Sequence, residues 1–155
     1  ICLVKKNAME IILQKATELG VTKIIPILSE RTEVKELNYE RANKIVIEAT
    51  EQSNQLNPPI ITKVTKLKDL VNNLNDSTKL LFADVNCEEK LNPEHISNKN
   101  LNIILIGPEG DFSPLEREKI LAKNNTIPFC LSKSILKTET AAISALTLIN
   151  YSLNL

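Results

Sequence analysis

Short apolar runs alternate along the chain with stretches whose apolar residues recur every three or four positions. The first pattern is typical of buried strands and the second of amphipathic helices. Strands are predicted at 1–5, 21–28, 60–65, 79–83, 101–106 and 127–131. Helices are predicted at 7–19, 38–55, 67–74, from 113 onward and at 139–153. The alternation predicts one α/β domain over residues 1–155, a mostly parallel sheet with helices on both faces.

Residues at the ends of these stretches indicate where helices begin and end. Asn7 and Asn38 are predicted N-caps, and Gly20 stands where a helix C-terminus favours glycine. Ser113 and Glu116 have the spacing of a capping box. The apolar faces are predicted to comprise Ile11, Ile12, Ala16 and Leu19, then Ala42, Ile45, Val46 and Ala49, and finally Ala141, Ala142, Ala145, Leu146 and Ile149.

Two strand ends carry unusual loops. The chain has only three glycines, and two of them, Gly107 and Gly110, lie in the GPEG loop that follows the run 101–106. Glycine serves where a backbone takes positive φ or must be approached closely. Since ligands of parallel α/β sheets bind at the carboxyl ends of strands, the loops after Ile106 and Leu131 are predicted to form the walls of one pocket. An ordinary strand–helix connection without a ligand is the alternative.

Composition narrows the function classes. Lys plus Arg number 19 and Asp plus Glu number 19, so zero net charge argues against nonspecific nucleic-acid binding over the whole surface but allows a local basic patch. Three cysteines, one histidine and no CxxC pair make a zinc site unexpected. Without a signal peptide or a membrane-spanning apolar run, a reducing, cytoplasmic setting is expected. The GxGxxG and GxxxxGK[ST] nucleotide motifs are missing.

Four blocks together resemble a known family: MEIILQKATELGVTKIIPILSERT, KIVIEATEQS, ILIGPEGDFSPLE and SILKTETAA. The chain resembles the 16S ribosomal RNA uridine N3-methyltransferases of the SPOUT class. The resemblance implies a C-terminal trefoil knot that binds S-adenosylmethionine (SAM), a homodimer formed through the knot, and 16S rRNA in the small ribosomal subunit as substrate. It also implies an N-terminal PUA-like RNA-binding domain. Because the chain opens inside a predicted strand, that domain is expected to be missing here.

The matched motifs carry the family's site residues onto this chain. They imply a cofactor site formed by Leu81, Phe82, Ala83, Asp84, Gly107, Pro108, Glu109, Gly110, Leu131, Ser132, Ile135, Leu136, Thr140 and Ala141. They imply catalytic roles for Glu139, as proton acceptor or orienter of the target base, and for Lys137. They imply RNA contacts from Arg31, Lys35 and Gln52.

Purely structural roles remain as alternatives for several of these residues. Glu139 stands at a predicted helix start, where the dipole favours a carboxylate in any case. Glu109 equally suits stabilisation of its own loop. Arg31 and Lys35 could belong to a solvated charged loop. The family tends to have arginine where this chain has Lys137 and Gln55, and glycine and arginine where it has Ser132 and Ser134, so weakened RNA binding is expected.

Two other functions compete with methyl transfer. One is an RNA-binding or ribosome-assembly module of the same fold that has lost catalysis. The other is a dinucleotide-dependent oxidoreductase, which the missing GxGxxG disfavours. Replacement of Gly107 by Val is expected to block cofactor binding without unfolding the chain. The 155 residues are expected to bind cofactor but to methylate RNA poorly.

Overall fold

The computed structural model describes residues 1–96 and 101–153. Its helices are α1 (Lys6–Glu18), α2 (Tyr39–Gln52), α3 (Leu67–Asn72), α4 (Pro114–Leu121) and α5 (Thr138–Leu153). Its strands are β1 (Lys23–Ile24), β2 (Ile27–Leu28), β3 (Ile60–Ile61), β4 (Thr65–Lys66), β5 (Lys79–Ala83), β6 (Asn102–Leu105) and β7 (Thr126–Phe129). A single 3₁₀ turn, Pro93–His95, lies in the predicted polar loop 86–100, whose last four residues are outside the described part.

The strand pairs of the described residues are parallel. β5 is the centre of a three-stranded sheet of order β6-β5-β7, while β1 pairs with β3 and β2 with β4. Leu81 of β5 stands opposite Ile104 of β6 and Ile127 of β7. Because the three strands run in the same direction, their carboxyl ends meet at one edge, and this edge carries the candidate site.

Helices cover both faces of this sheet, as predicted. Leu81 belongs to a core cluster with the buried faces of α1, α2 and α5. Its neighbours Leu80 and Phe82 point to the other face and pack with residues of α3 and α4. The alternation of side chains along β5 therefore serves two hydrophobic cores at once.

The first part of the sheet is more broken than predicted. The runs 21–28 and 60–65 each give two strands of two residues, and the pairing register shifts by one residue between them. Pro26 lies at the break and has no N–H for a ladder. The segment 1–5 is extended rather than a full strand: it forms one bridge, Cys2 to Ile27, and Cys2 donates its N–H to the Ile106 carbonyl at 3.1 Å.

The N-terminus of α1 corrects one predicted cap. The helix begins at Lys6, Lys5 is its N-cap without a side-chain cap bond, and Asn7 lies inside the helix. The Lys5 N–H instead donates to a Glu109 carboxylate oxygen at 3.5 Å, so a tertiary contact stands where a local cap was expected. Ile11 is also misassigned, since it is 41 % exposed, while Met9 and Leu13 complete the buried face.

The helix C-termini follow local rules. Gly20 takes φ 79° after α1, as predicted. Asn54 takes φ 54° after α2, and Gln55 N–H bonds back to the Thr50 carbonyl at 3.1 Å. This hydrogen-bond pattern is that of a Schellman motif, which explains why α2 ends at Gln52 rather than at the predicted Gln55.

The other capping predictions are confirmed. Asn38 accepts the Arg41 N–H at 2.9 Å at the start of α2. Ser113 and Glu116 form the complete capping box of α4. None of the helices in residues 1–96 and 101–153 is long and apolar enough to cross a membrane.

Candidate active site

A cavity of about 360 Å³ lies where β5, β6 and β7 end. Three loops and the first turn of α5 surround it. Of the residues implied for the cofactor, those in its wall are Ala83, Asp84, Gly107, Pro108, Glu109, Gly110, Leu131, Ser132, Ile135, Leu136 and Ala141. The volume is within the range of about 300–1,000 Å³ that is typical of small-molecule sites.

The wall also contains Val85, Ile106, Asp111 and Cys130, which sequence reasoning missed, and Ser134 and Thr138, which lie between the implied residues Leu131 and Ala141. Cys130 lies in an apolar run of the sequence, yet it is partly exposed and donates its thiol to the Ser132 carbonyl at 3.2 Å. These further wall residues share a position in the sequence that could have identified them, because each follows a strand end or begins α5. Leu81 and Phe82 are instead buried in the cores, and Thr140 is exposed outside the wall.

The GPEG loop owes its path to packing more than to positive φ. Neither Gly107 nor Gly110 takes positive φ, whereas Asp111 does, at 58°. A Cβ on Gly107 would lie 3.2 Å from the buried ring of Phe112, which packs edge-on against Phe82 at 5.6 Å. Valine at position 107 would therefore press on the Phe112 ring as well as narrow the cavity, and the expectation that it does not unfold the chain stays a prediction.

Asp84 ends β5 with its carboxylate fully engaged. The side chain is 1 % exposed and accepts two hydrogen bonds from Arg117 Nε, at 2.9 and 3.1 Å, and one from Nη2 at 2.7 Å. It also accepts the Asn86 N–H at 3.0 Å. The hydrogen bonds that Arg117 donates to this carboxylate raise the pKa of Arg117, so the guanidinium stays charged. The pair fixes the turn after β5, which lines the cavity, to helix α4.

The loop 131–136 contributes apolar surface. Ile135 is 89 % exposed although it borders the cavity, and Val85 on the β5 side is 57 % exposed. Leu131 and Leu136 are half-buried in the wall. Exposed apolar side chains around a concave site suit the flat ring of a ligand.

The implied catalytic residues lie beside the cavity. Thr138 begins α5, is 4 % exposed and lines the wall, as does Ala141 one turn later. Lys137 directly precedes α5 and is exposed. Glu139 is half-buried and follows Thr138 in the first turn of α5, on a neighbouring side of the helix that does not face the wall. In the part of the chain that the structure describes, no hydrogen bond or ion pair occupies either side chain, and neither residue lines the cavity wall itself.

The implied RNA contacts lie on two elements. Arg31 is exposed and donates Nη1 to the Gly110 carbonyl at 3.0 Å. Lys35 is exposed and donates to the Thr32 carbonyl. Gln52 is exposed at the end of α2.

Gln55, one of the positions where the family tends to have arginine, has a structural partner instead. Its amide donates to the Thr17 carbonyl at 2.6 Å and to the Glu18 carbonyl at 3.2 Å, at the end of α1. The side chain thus adds a hydrogen bond to the Thr17 carbonyl, which also accepts the Gly20 N–H at 2.9 Å, and bonds the Glu18 carbonyl at the helix C-terminus.

The sequence profile of the RNA methyltransferase domain matches residues 1–150. The chain belongs to the RNA methyltransferase domain family. Similar members of this family include the ribosomal RNA small subunit methyltransferase E of Rickettsia conorii, 37 % identical over 149 residues, which cover 94 % of this chain and 60 % of the relative. The enzyme of the same name from Aquifex aeolicus is 34 % identical over 148 residues, 92 % of this chain and 62 % of the relative.

Solved structures agree with this membership. The ribosomal RNA small subunit methyltransferase E from Neisseria gonorrhoeae, solved with bound S-adenosyl methionine, superposes with a TM-score of 0.89 at 28 % identity, covering 98 % of this chain and 64 % of that one. The Aquifex aeolicus TrmH/SpoU tRNA modifying enzyme superposes with a TM-score of 0.59 at 13 % identity over 97 % of this chain and 74 % of that one, which shows the fold alone. The chain spans about three fifths of the length of the two curated relatives.

Proposed function

We propose that this chain is the SAM-binding, methyl-transferring domain of an enzyme that methylates N3 of a uridine in 16S rRNA of the small ribosomal subunit. The observation that carries the proposal is the cavity where three parallel strands end, which joins the GPEG loop to the loop 131–136. The Neisseria relative, which has bound S-adenosyl methionine, supports the choice of ligand. A ribosomal substrate implies a cytoplasmic protein.

The cavity offers both apolar side chains and approachable peptide groups, and SAM has both an apolar ring and polar groups. Ile135, Val85 and Leu136 offer apolar surface to an adenine ring. The peptide groups of Gly107–Gly110 are approachable because glycine has no side chain. Asp84 contributes only its position and backbone, because Arg117 and the Asn86 N–H already occupy its carboxylate.

SAM supplies a methyl group that its sulfonium has already activated. What remains for the protein is to hold uridine N3 in line with that methyl and to receive the N3 proton as the N–CH₃ bond forms. We assign the second task, or orientation of the base, to Glu139. We propose that Lys137, beside the cavity, places a positive charge next to the substrate. Lys35 and Gln52 are the proposed RNA contacts, and for Arg31 an RNA contact competes with the role in loop positioning that is argued below.

The test is a titration of the chain with SAM, followed by transfer of a labelled methyl group to small-subunit particles that lack the modification. Binding with labelled uridine N3 as product supports the proposal. Binding without transfer, even in a full-length chain, would favour the RNA-binding or assembly module instead. Glu139→Gln is expected to lower kcat by about 10²–10⁴-fold with little change in SAM affinity.

We also propose that two copies associate, with the C-terminal part of each forming the trefoil knot of the SPOUT class. Support comes from an apolar groove of about 350 Å³ lined by residues of α1, α5 and β6, among them Ile12, Leu146 and Leu153. Tyr151 of α5 is 83 % exposed beside it. Sedimentation at micromolar concentration is expected to show a dimer, and a sole species of 17.3 kDa would contradict this.

A further inference from the structure

A tight turn lies next to the GPEG loop, although it is distant in sequence. The Thr32 N–H bonds to the Ser29 carbonyl at 3.2 Å, the Ser29 N–H donates to Thr32 Oγ1 at 2.9 Å, and the two hydroxyls are 2.8 Å apart. Ser29 is 6 % exposed and Thr32 is 2 % exposed. The base of the turn is thus buried and closed by its own hydrogen bonds, which leaves Glu30 and Arg31 at an exposed tip of fixed direction.

Both tip residues hold the segment that follows β6. The Glu30 N–H donates to Glu116 Oε1 at 2.8 Å, and Glu116 Oε2 accepts the Ser113 N–H of the capping box at 3.1 Å. Arg31 Nη1 donates to the Gly110 carbonyl at 3.0 Å. The Arg31 stem also packs here, with its Cβ 3.6 Å from where a Cβ of Gly110 would lie.

The Gly110 peptide is a place where such support matters. Gly110 lines the cavity and is exposed, and the next residue, Asp111, is in the left-handed region. Non-glycine residues are uncommon in this region, although aspartate is among those that tolerate it, so contacts from the surroundings help to hold the turn. Within the loop the Asp111 N–H bonds to the Pro108 carbonyl at 3.0 Å, and the Glu109 contact to Lys5 is long at 3.5 Å.

We propose that Arg31 is a positioning residue: its guanidinium holds the Gly110 carbonyl and keeps the GPEG loop in the shape that meets the ligand. The part that concerns SAM affinity rests on the proposed function. The part that concerns loop order does not. A contact between Arg31 and an RNA phosphate is the competing role, and the two differ in what changes when RNA is absent.

Three variants separate these roles. Arg31→Ala removes the donor and the stem, and Arg31→Met removes the donor but keeps an apolar stem against Gly110. Arg41→Ala is the matched control, because Arg41 is also exposed and hydrogen-bonded, but its partner, Glu10 on α1, does not line the cavity as Gly110 does. Backbone amide exchange of the segment 107–113 is measured without ligand, and SAM affinity is measured by calorimetry without RNA.

Both Arg31 variants are expected to speed exchange in 107–113 about five-fold and to weaken SAM binding by a similar factor, the effect of losing one partly solvated charged hydrogen bond. Arg41→Ala is expected to change neither. Wild-type exchange in both Arg31 variants would overturn the proposal. So would unchanged SAM affinity combined with weaker RNA binding and a flatter salt dependence, which is the result for a phosphate contact. If the wild-type chain fails to bind SAM, the proposed function fails, and the exchange data alone decide the role of Arg31.

Discussion

The two walls of the cavity are held in different ways. The GPEG wall, residues 107–113, is tied to the core through Phe112, to the turn 29–32 through Arg31, and to α1 through Glu109. In the described part of the chain, the hydrogen bonds of the opposite loop 131–136 stay within residues 130–134. Its Ile135 is 89 % exposed. The GPEG wall, here called the built wall, is therefore held in shape without a ligand. The loop 131–136, here called the open wall, has exposed groups that a ligand can contact.

The largest expected effect comes from the Asp84–Arg117 pair, which fixes the turn after β5 to α4. Arg117→Ala leaves the Asp84 carboxylate buried without its charged partner, so the free energy of unfolding is expected to fall by about 3 kcal/mol. Denaturant titration measures this, and Arg117→Lys should recover part of the loss because it keeps the charge but not the fork. A change below about 0.5 kcal/mol in the alanine variant would show that the pair does not stabilise the fold.

The buried Cys2 thiol, which contacts the base of the turn 29–32, is expected to make the free energy of unfolding depend on pH. Burial raises the pKa of the Cys2 thiol from its ordinary 9.0 to about 11, and Cys2 donates to Ser29 at 3.7 Å. The unfolded thiol ionises first, so the stability due to the buried thiol is complete below pH 9 and is lost as pH rises towards 11.

This loss amounts to about 2–3 kcal/mol. Because other groups titrate in the same range, the measurement is the difference in unfolding free energy between wild type and Cys2→Ala across pH 8 to 11. The wild type should lose more, and parallel curves would contradict a buried neutral thiol.

Gly107 tests the packing of the built wall. Gly107→Val is expected to cost about 2 kcal/mol of stability by overpacking against Phe112 and to weaken SAM binding at least ten-fold. Gly110→Ala is the matched control, since its Cβ would meet Arg31 at an ordinary 3.6 Å, and its stability should stay within about 0.5 kcal/mol of wild type. Equal melting for both variants would remove the proposed difference between the two glycines.

Ile135 tests the open wall with the smallest expected effect on folding. Ile135→Ala should change stability by less than about 0.5 kcal/mol, because the side chain is already in water. If SAM covers it, affinity should fall about ten-fold, as expected when a ligand buries much of an isoleucine. Unchanged affinity in calorimetry would place the ligand elsewhere in the cavity.

Sequence rules worked best where structure depends on neighbouring residues. The capping box of α4, the asparagine cap of α2 and the glycine at the end of α1 are all local, and the structure contains each of them. Asn7 failed as a cap because α1 begins one residue earlier, at Lys6, which places Asn7 inside the helix. Most loop residues implied for the cofactor reach the cavity, because strand direction alone brings the carboxyl ends of β5, β6 and β7 together.

The sequence by itself determined the α/β alternation, the helix ends and the three loops that surround the cavity, since these follow from periodicity, turn residues and a matched family pattern. Only the tertiary structure decided how those loops are held. The carboxylate of Asp84 binds Arg117, Gln55 completes the end of α1, and Arg31 reaches Gly110. These partners lie dozens of residues apart, and no local preference of either one selects the other. Their pairing depends on the packing of whole helices and strands, which brings the groups within hydrogen-bonding distance.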